Sequence, residues 1–124
     1  MAATLNFIIS AFTIFLFITN EASLACHLSD ITIEQTRTGH IVEGKPEYYV
    51  TVSNKCVCPQ SKVVLQCYGL SSVEPVNPRA IRAVDDESCV VAGGRPIARG
   101  SPVKFKYAWL TPQDFPVVSS HVNC

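Results

Sequence analysis

The sequence predicts an all-β protein: a small, disulfide-stabilised β-sandwich of antiparallel strands with one short helix. Apolar and polar residues alternate in several short runs, which is typical of strands that bury one face. Eight prolines and six glycines separate these runs, and no window keeps the 3.6-residue apolar period of a long helix. Six cysteines, an even number, indicate a disulfide framework.

The N-terminal segment is expected to be a secretory signal peptide, residues 1–25. Residues 7–18 are apolar except for two hydroxyl side chains, and no charged side chain precedes Glu21. This run is too short for a membrane span of about 20 residues, but it suits the apolar centre of a signal peptide. Small residues stand one and three positions before Cys26, so we expect cleavage between Ala25 and Cys26.

The remaining chain, residues 26–124, is expected to form a single disulfide-rich β-sandwich domain that is secreted to the extracellular space, the apoplast. No second apolar run of membrane length follows, so we expect no membrane attachment after cleavage. The formal net charge of the chain is zero, and no basic patch points to nucleic acid.

The elements can be predicted in chain order from the apolar pattern. Ile31 and Ile33 alternate with polar residues in the first strand, and Tyr48, Val50 and Val52 do the same in the second. Turns are expected at residues 38–39 and 44–46. Later strands are expected at residues 62–68, near residue 76, and at residues 89–92, 101–110 and 115–122.

The short helix is predicted at residues 78–84, with Asn77 as its N-cap and Pro78 at its first position. In the strand at residues 101–110, alternation places Phe105, Tyr107 and Trp109 on one face. We expect Trp109 to pack in the central core.

The cysteine spacing limits which disulfides can form. One residue separates Cys56 from Cys58, so a bond between them would be badly strained. An antiparallel hairpin of the first two strands would bring Cys26 to Cys56. The preferred pairs are Cys26–Cys56, Cys58–Cys124 and Cys67–Cys89, although six cysteines allow 15 connectivities and the sequence does not decide among them.

No catalytic, metal or cofactor site is predicted. Structural zinc pairs usually have two to four intervening residues, which Cys56 and Cys58 lack. No nucleophile-elbow motif occurs near any of the three histidines. Asp85, Asp86 and Glu87 are adjacent, whereas the two carboxylates of a glycosidase come from separate elements that flank a cleft. The sequence therefore favours a binding protein over an enzyme.

A longer set of features runs through the chain together with the order of the six cysteines: residues 30–33 and 35, 44–48, 50 and 52, 54, 64–67, 69, 71–72, 76–79, 82, 86–89, 94, 96 and 105–108. In these features the chain resembles the plant tapetum determinant family of small secreted cysteine-rich proteins. The resemblance extends over almost all of residues 26–124. It implies a ligand that binds the extracellular leucine-rich repeats of a receptor-like kinase and directs cell fate or differentiation.

If the chain is such a ligand, its anchor residues are expected on the short helix and the loop after it. Arg79 and Arg82 would lie one helical turn apart, and Asp85 and Asp86 follow them. Arginine is enriched among the residues that dominate binding energy at protein interfaces.

A fainter similarity, to the carbohydrate-binding modules attached to plant cellulases, supplies an alternative function. Such modules stack sugars on exposed aromatic rings. The alternation places Tyr48, Tyr107 and Trp109 in the core and leaves Tyr49 and Tyr68 as the rings available to a glycan. The alternative is therefore a secreted protein that binds cell-wall glycans.

Overall fold

Two antiparallel sheets form the protein, and most of their strands follow the alternation of apolar side chains. The structure is a computed structural model that describes residues 25–124. Its strands in chain order are β1 (Ile31–Val42), β2 (Lys45–Asn54), β3 (Gln60–Gln66), β4 (Ile81–Ala83), β5 (Ser88–Val91), β6 (Val103–Ala108) and β7 (Val117–Val122).

The first sheet has the strand order β1-β2-β6. Strands β1 and β2 form a long hairpin closed by Glu43 and Gly44, which have φ values of 49° and 77°. Two consecutive positive φ angles suit the right-handed twist of a two-residue hairpin, and glycine adopts such an angle without steric cost. The turn predicted at residues 38–39 is wrong, because a bulge between Arg37 and Ile41 lets β1 continue through that segment.

The second sheet has the order β4-β5-β3-β7. Strand β3 is central: it pairs Leu65 with Cys89 of β5 on one side and with Val117 of β7 on the other. The short strand β4 lies at the edge, where it pairs Ile81 with Val91.

The core lies between the two sheets and consists of side chains that alternate inward. Val50 and Val52 of β2, Val63 and Leu65 of β3 and Tyr107 of β6 are all inaccessible to solvent. Phe115 joins this core just before β7, with its ring edge-on to those of Phe105 and Tyr107. The predicted all-β class is confirmed.

The helix predicted at residues 78–84 is wrong. Asn77 does start a turn, since its carbonyl accepts hydrogen bonds from the backbone N–H groups of Ala80 and Ile81. The turn ends there because Ile81 enters β4 and buries its side chain, with 1% of its surface exposed. Within the described residues, the helices are one-turn 3-10 helices at Leu28–Asp30 and Ala92–Gly94.

Two further sequence predictions need correction. No strand forms near Val76 in the described chain, where residues 71–77 connect β3 to the turn before β4. Trp109 packs against the core but stays half-buried, because β6 ends at Ala108 and the chain then turns towards the surface. The Nζ atom of Lys45 lies 5.9 Å from the centre of the Trp109 ring.

The predicted signal peptide lies outside the described residues, apart from Ala25. Between residues 25 and 124, no helix is both long and apolar enough to cross a membrane.

Candidate functional site

Three disulfides join residues near both ends of the described chain to its strands and loops. The six cysteines form the pairs Cys26–Cys56, Cys58–Cys124 and Cys67–Cys89, with Cα–Cα distances of 5.7, 5.0 and 5.9 Å. These pairs coincide with the preferred set, in which the hairpin argument supplies the Cys26–Cys56 pair. Cys67 directly follows β3 and Cys89 lies in β5, so the third bond joins two neighbouring strands of one sheet.

Buried amides hold the loop that carries Cys56 and Cys58. Asn54, which is 3% exposed, donates from Nδ2 to the carbonyl oxygens of Cys58 and Ile97 at 2.9 Å each. Its Oδ1 accepts the backbone N–H of Cys56 at 3.0 Å. Gln60 has no solvent exposure and accepts at Oε1 from the hydroxyl of Ser120 on β7. A loop held by this many buried hydrogen bonds is rigid.

The predicted partner-binding residues are all exposed, and they lie on and around the hairpin of β4 and β5. Arg82 points outward from β4, because it alternates with the buried Ile81. Arg79 lies in the preceding turn, where its carbonyl accepts from Arg95 at 3.5 Å. The two arginines therefore do not share a helical face. Among the described residues, neither forms an ion pair with Asp85 or Asp86.

Asp85 has a structural task in the turn between β4 and β5. Its Oδ1 accepts the backbone N–H groups of Glu87 and Ser88 at 2.8 and 2.7 Å. These hydrogen bonds lower the pKa of the Asp85 carboxyl, because they favour its charged form. Asp86 and Glu87 leave their carboxylates exposed. A partner would therefore meet the arginines and these two acids, with Asp85 holding the turn in shape.

The aromatic rings divide into core and surface groups. Tyr48 and Tyr107 are buried and stacked, with their ring centres 5.3 Å apart. Tyr49 is half-buried, and the Nζ atom of Lys106 lies 6.0 Å from its ring centre. Tyr68 is 66% exposed. Of the two rings predicted to be available to a glycan, Tyr68 is the one with a freely accessible face.

Tyr68 borders a cleft of about 350 Å³ between the end of β3 and the segment before β7. Its polar lining comes from Gln66, Gln113 and Asp114. Its apolar lining comes from Tyr68 and from Pro112, Phe115 and Pro116. The sequence analysis missed this cleft, because its two walls are far apart along the chain and the segment at residues 110–116 has no regular apolar period.

One wall of the cleft is fixed by a hydrogen-bond network around Tyr107. The Tyr107 hydroxyl donates to Oε1 of Gln35 at 2.6 Å and accepts the backbone N–H of Gln113 at 2.9 Å. Gln35 in turn donates to the Gln113 carbonyl, and Gln113 donates from Nε2 to Ser71 at 3.2 Å. Burial raises the pKa of the Tyr107 phenol, so this hydroxyl stays protonated as the network requires.

Glu47 of β2 and Glu74, in the connection between β3 and β4, form a pair of interacting carboxyl groups. Glu47 of β2 is 8% exposed and accepts a hydrogen bond from the Thr38 hydroxyl at 2.8 Å, which lowers the pKa of Glu47. Burial and the neighbouring Glu47 raise the pKa of Glu74. Oε1 of Glu74 is buried without a hydrogen-bond partner in the described chain. A protonated Glu74 can donate to Glu47, so the pair is suited to sharing a proton.

The sulfur atoms of Cys26, Cys58 and Cys124 all lie within 4.8 Å of one another. Such a cluster has the size of a metal site. Each sulfur is in a disulfide, however, and therefore does not offer the thiolate that structural zinc sites use.

Comparison with known proteins gives matches over most of the chain. The family model described as "Tapetum determinant 1, C-terminal" matches residues 27–124. TPD1 protein homolog 1 of Arabidopsis thaliana is 33% identical over 108 residues, which cover 86% of this chain and 59% of that relative.

TPD1 protein homolog 1A of Oryza sativa subsp. japonica is 34% identical over 86 residues, which cover 63% of this chain and 38% of the relative. The matched part therefore spans less than two thirds of either relative. No solved structure matches this chain.

Proposed function

Since this chain belongs to the tapetum determinant 1 family, we propose that it is a secreted signalling ligand that binds the extracellular leucine-rich repeats of a plant receptor-like kinase and thereby controls cell fate or differentiation. The family match over residues 27–124 is the observation that carries this proposal. The proposed role is binding without catalysis, and residues 1–25 act as the signal peptide of the single domain at residues 26–124.

The disulfide framework supports secretion and a role as a rigid ligand. All six cysteines are paired, and such bonds persist in oxidising compartments outside the cytosol. A crosslinked β-sandwich loses little conformational entropy when it docks, so more of the contact energy appears as affinity. Leucine-rich repeats offer a concave surface that can hold such a partner across several repeats.

The hairpin of β4 and β5 is the surface proposed to meet the receptor. Arg79 and Arg82 present exposed guanidinium groups, and Asp86 adds an exposed carboxylate at the turn. Val84 lies beside them with 52% of its surface exposed. An apolar contact surrounded by charges resembles the centre and rim of a typical interface, in which arginine often contributes most of the energy. Asp85 supports this surface indirectly through the turn.

The proposal can be tested with the secreted, disulfide-bonded protein and a panel of plant leucine-rich repeat ectodomains. We expect saturable binding to at least one ectodomain by biolayer interferometry. The double substitution Arg79→Ala and Arg82→Ala should weaken that Kd by at least about tenfold, because each arginine is worth more than about 1 kcal/mol at an interface centre.

Arg99→Ala is the matched control, because Arg99 is equally exposed but lies outside the hairpin, in the loop before β6. It should leave the Kd within about twofold of that of the unaltered protein. An absence of binding across the panel would contradict the receptor-ligand function. If the double substitution leaves the Kd unchanged, the receptor binds a surface other than this hairpin.

A further inference from the structure

We propose that the cleft beside Tyr68 binds one or two pyranose rings of a neutral oligosaccharide. This site would be additional to receptor binding, and its test does not depend on the receptor. The cleft volume of about 350 Å³ lies at the lower end of the range of about 300–1,000 Å³ that small-molecule sites occupy.

The Tyr68 ring provides the first element of such a site. A pyranose has one face of C–H groups, which packs against a flat aromatic ring, and an edge of hydroxyl groups, which needs hydrogen bonds. Tyr68 is 66% exposed, so one ring face is available without any rearrangement. Pro112 and Pro116 add apolar surface on the opposite wall of the cleft.

Polar groups with free hydrogen-bonding capacity provide the second element. The side chains of Gln66 and Asp114 line the cleft and make no hydrogen bond within the described chain. An amide and a carboxylate together can both donate to and accept from neighbouring sugar hydroxyls. Gln113 adds its Oε1, since only its Nε2 is engaged, by the carbonyl of Ser71.

Both walls of the cleft are held in place before any ligand arrives. Tyr68 follows the disulfide-bonded Cys67, and both residues donate their backbone N–H groups to the Glu87 carbonyl at 3.1 and 2.8 Å. The opposite wall is joined to β3 by a 2.8 Å hydrogen bond from the Gln66 N–H to the carbonyl of Pro116. A preorganised site loses little entropy on binding.

Two of the six non-glycine residues with positive φ in the described chain line the cleft. Tyr68 and Phe115 have φ values of 45° and 50°, and both line the cleft. Bulky residues rarely adopt this left-handed conformation, which is strained and tends to occur at ligand-binding sites. The Tyr68 side chain is exposed at this position, whereas the Phe115 side chain is 1% exposed.

The charge of the cleft selects a neutral sugar. Asp114 is the charged side chain in its lining, so an anionic uronic acid would be repelled. A guanidinium group could pair with Asp114 and stack on Tyr68, but two of the three polar lining side chains are neutral amides. Neutral amides form hydrogen bonds with sugar hydroxyl groups, but they offer no countercharge to a charged ligand.

The test is a titration of the secreted protein with cellohexaose, xylohexaose and mannohexaose, followed by NMR amide shifts. Cellohexaose and xylohexaose represent wall polysaccharides, and mannohexaose represents the mannose branches of glycoproteins. We expect saturable shifts at residues 66–70 and 112–116 with at least one of them. Tyr68→Ala should weaken the Kd by at least about tenfold, whereas Tyr68→Phe should keep it within about threefold because the ring remains.

Tyr49→Ala is the matched control, since Tyr49 lies on the other sheet outside the cleft. It should leave the sugar Kd unchanged. Asp114→Ala should weaken sugar binding by removing a hydrogen-bond acceptor, and it should not disturb the fold, because Asp114 is exposed and makes no hydrogen bond in the described chain. It therefore tests the site even if Tyr68→Ala fails to fold.

Trigalacturonate, as an anionic sugar, and N-acetylarginine amide, as a cation, are titrated as charged competitors. The saccharide site would be overturned if no neutral hexasaccharide gave a saturable shift at millimolar concentration, or if Tyr68→Ala left sugar binding intact. It would also be overturned if either charged probe bound more tightly than all the neutral sugars. Loss of receptor binding in the Arg79 and Arg82 variant bears only on the receptor function, so the two proposals can fail separately.

Discussion

At the residue scale, Asn54 shows how one amide stabilises the disulfide-bearing end of the protein. It satisfies two buried carbonyl groups and one backbone N–H, which belong to Cys56, Cys58 and Ile97. A hydrophobic residue of similar size would remove the Asn54 partners of the Cys58 carbonyl and the Cys56 N–H, whereas the Ile97 carbonyl would keep the backbone N–H of Gln60 at 3.2 Å. The loop between β2 and β3 therefore depends on the chemistry of this side chain as much as on its shape.

Asn54→Ala should lower the free energy of unfolding by about 2–3 kcal/mol, because buried polar groups lose their hydrogen bonds. Guanidinium unfolding with the disulfides intact measures this. Asn77→Ala is the control, since exposed Asn77 holds a single N–H of the turn and should cost less than about 1 kcal/mol. Equal losses in the two variants would show that burial of the amide is unimportant.

The contributions of Glu47 and Glu74 to the stability of the fold are expected to depend on pH in opposite directions. The raised pKa of Glu74 means that its stabilising contribution is present at low pH and is lost as pH rises through the folded-state pKa. The lowered pKa of Glu47 means that its contribution is present at higher pH and is lost on acidification. Lys106 and His40 lie near both groups and partly offset their mutual repulsion.

Glu74→Gln should therefore stabilise the protein at about pH 7, by up to about 1 kcal/mol, and leave its stability unchanged at about pH 4. The amide keeps a donor for Glu47 and removes the carboxyl that resists ionisation. Urea unfolding at both pH values measures this difference. Glu34→Gln, on the exposed part of β1, should show no such pH-dependent gain. Parallel stability curves for Glu74→Gln and the unaltered protein would rule out the shared proton.

At the scale of elements, alternation predicts the central strands well and the edge poorly. Tyr48, Val50 and Val52 are buried as predicted, because β2 lies between two neighbours and its inward face has one register. The segment at residues 78–84 has valid helix-start signals, yet Ile81 becomes part of β4. Its pairing with Val91 and its complete burial outweigh the local preference.

The cleft illustrates what the sequence cannot specify locally. Tyr68 and residues 112–116 are brought together only by the pairing of β3 with β7, a contact between distant parts of the chain. The hairpin argument, by contrast, uses neighbouring strands and leads to the Cys26–Cys56 pair, which the structure also has. Local patterns thus predict adjacent strands, while sites assembled across a sheet need the topology.

At the scale of the whole molecule, the disulfide connectivity predicts a definite set of crosslinked peptides. After trypsin digestion of the unreduced, secreted protein, residues 26–37, 56–62 and 107–124 should stay together as one assembly, and residues 63–79 should be joined to 83–99. Mass spectrometry with electron-transfer fragmentation between Cys56 and Cys58 then assigns their separate partners. A crosslink between residues 26–37 and 63–79 would contradict this connectivity. If the N-terminal peptide of the secreted protein begins at a residue other than Cys26, the signal peptide is cleaved at a different position.

The sulfur cluster of Cys26, Cys58 and Cys124 also has a topological consequence. Because it places residues 26 and 124 side by side, a short linker could join them into a closed ring without crossing the molecule. New ends could then be opened at Glu43 and Gly44, the exposed tip of the β1–β2 hairpin. The protein therefore suits circular permutation, with a reporter inserted at the β1–β2 tip, at the opposite end of that hairpin from the Cys26–Cys56 disulfide.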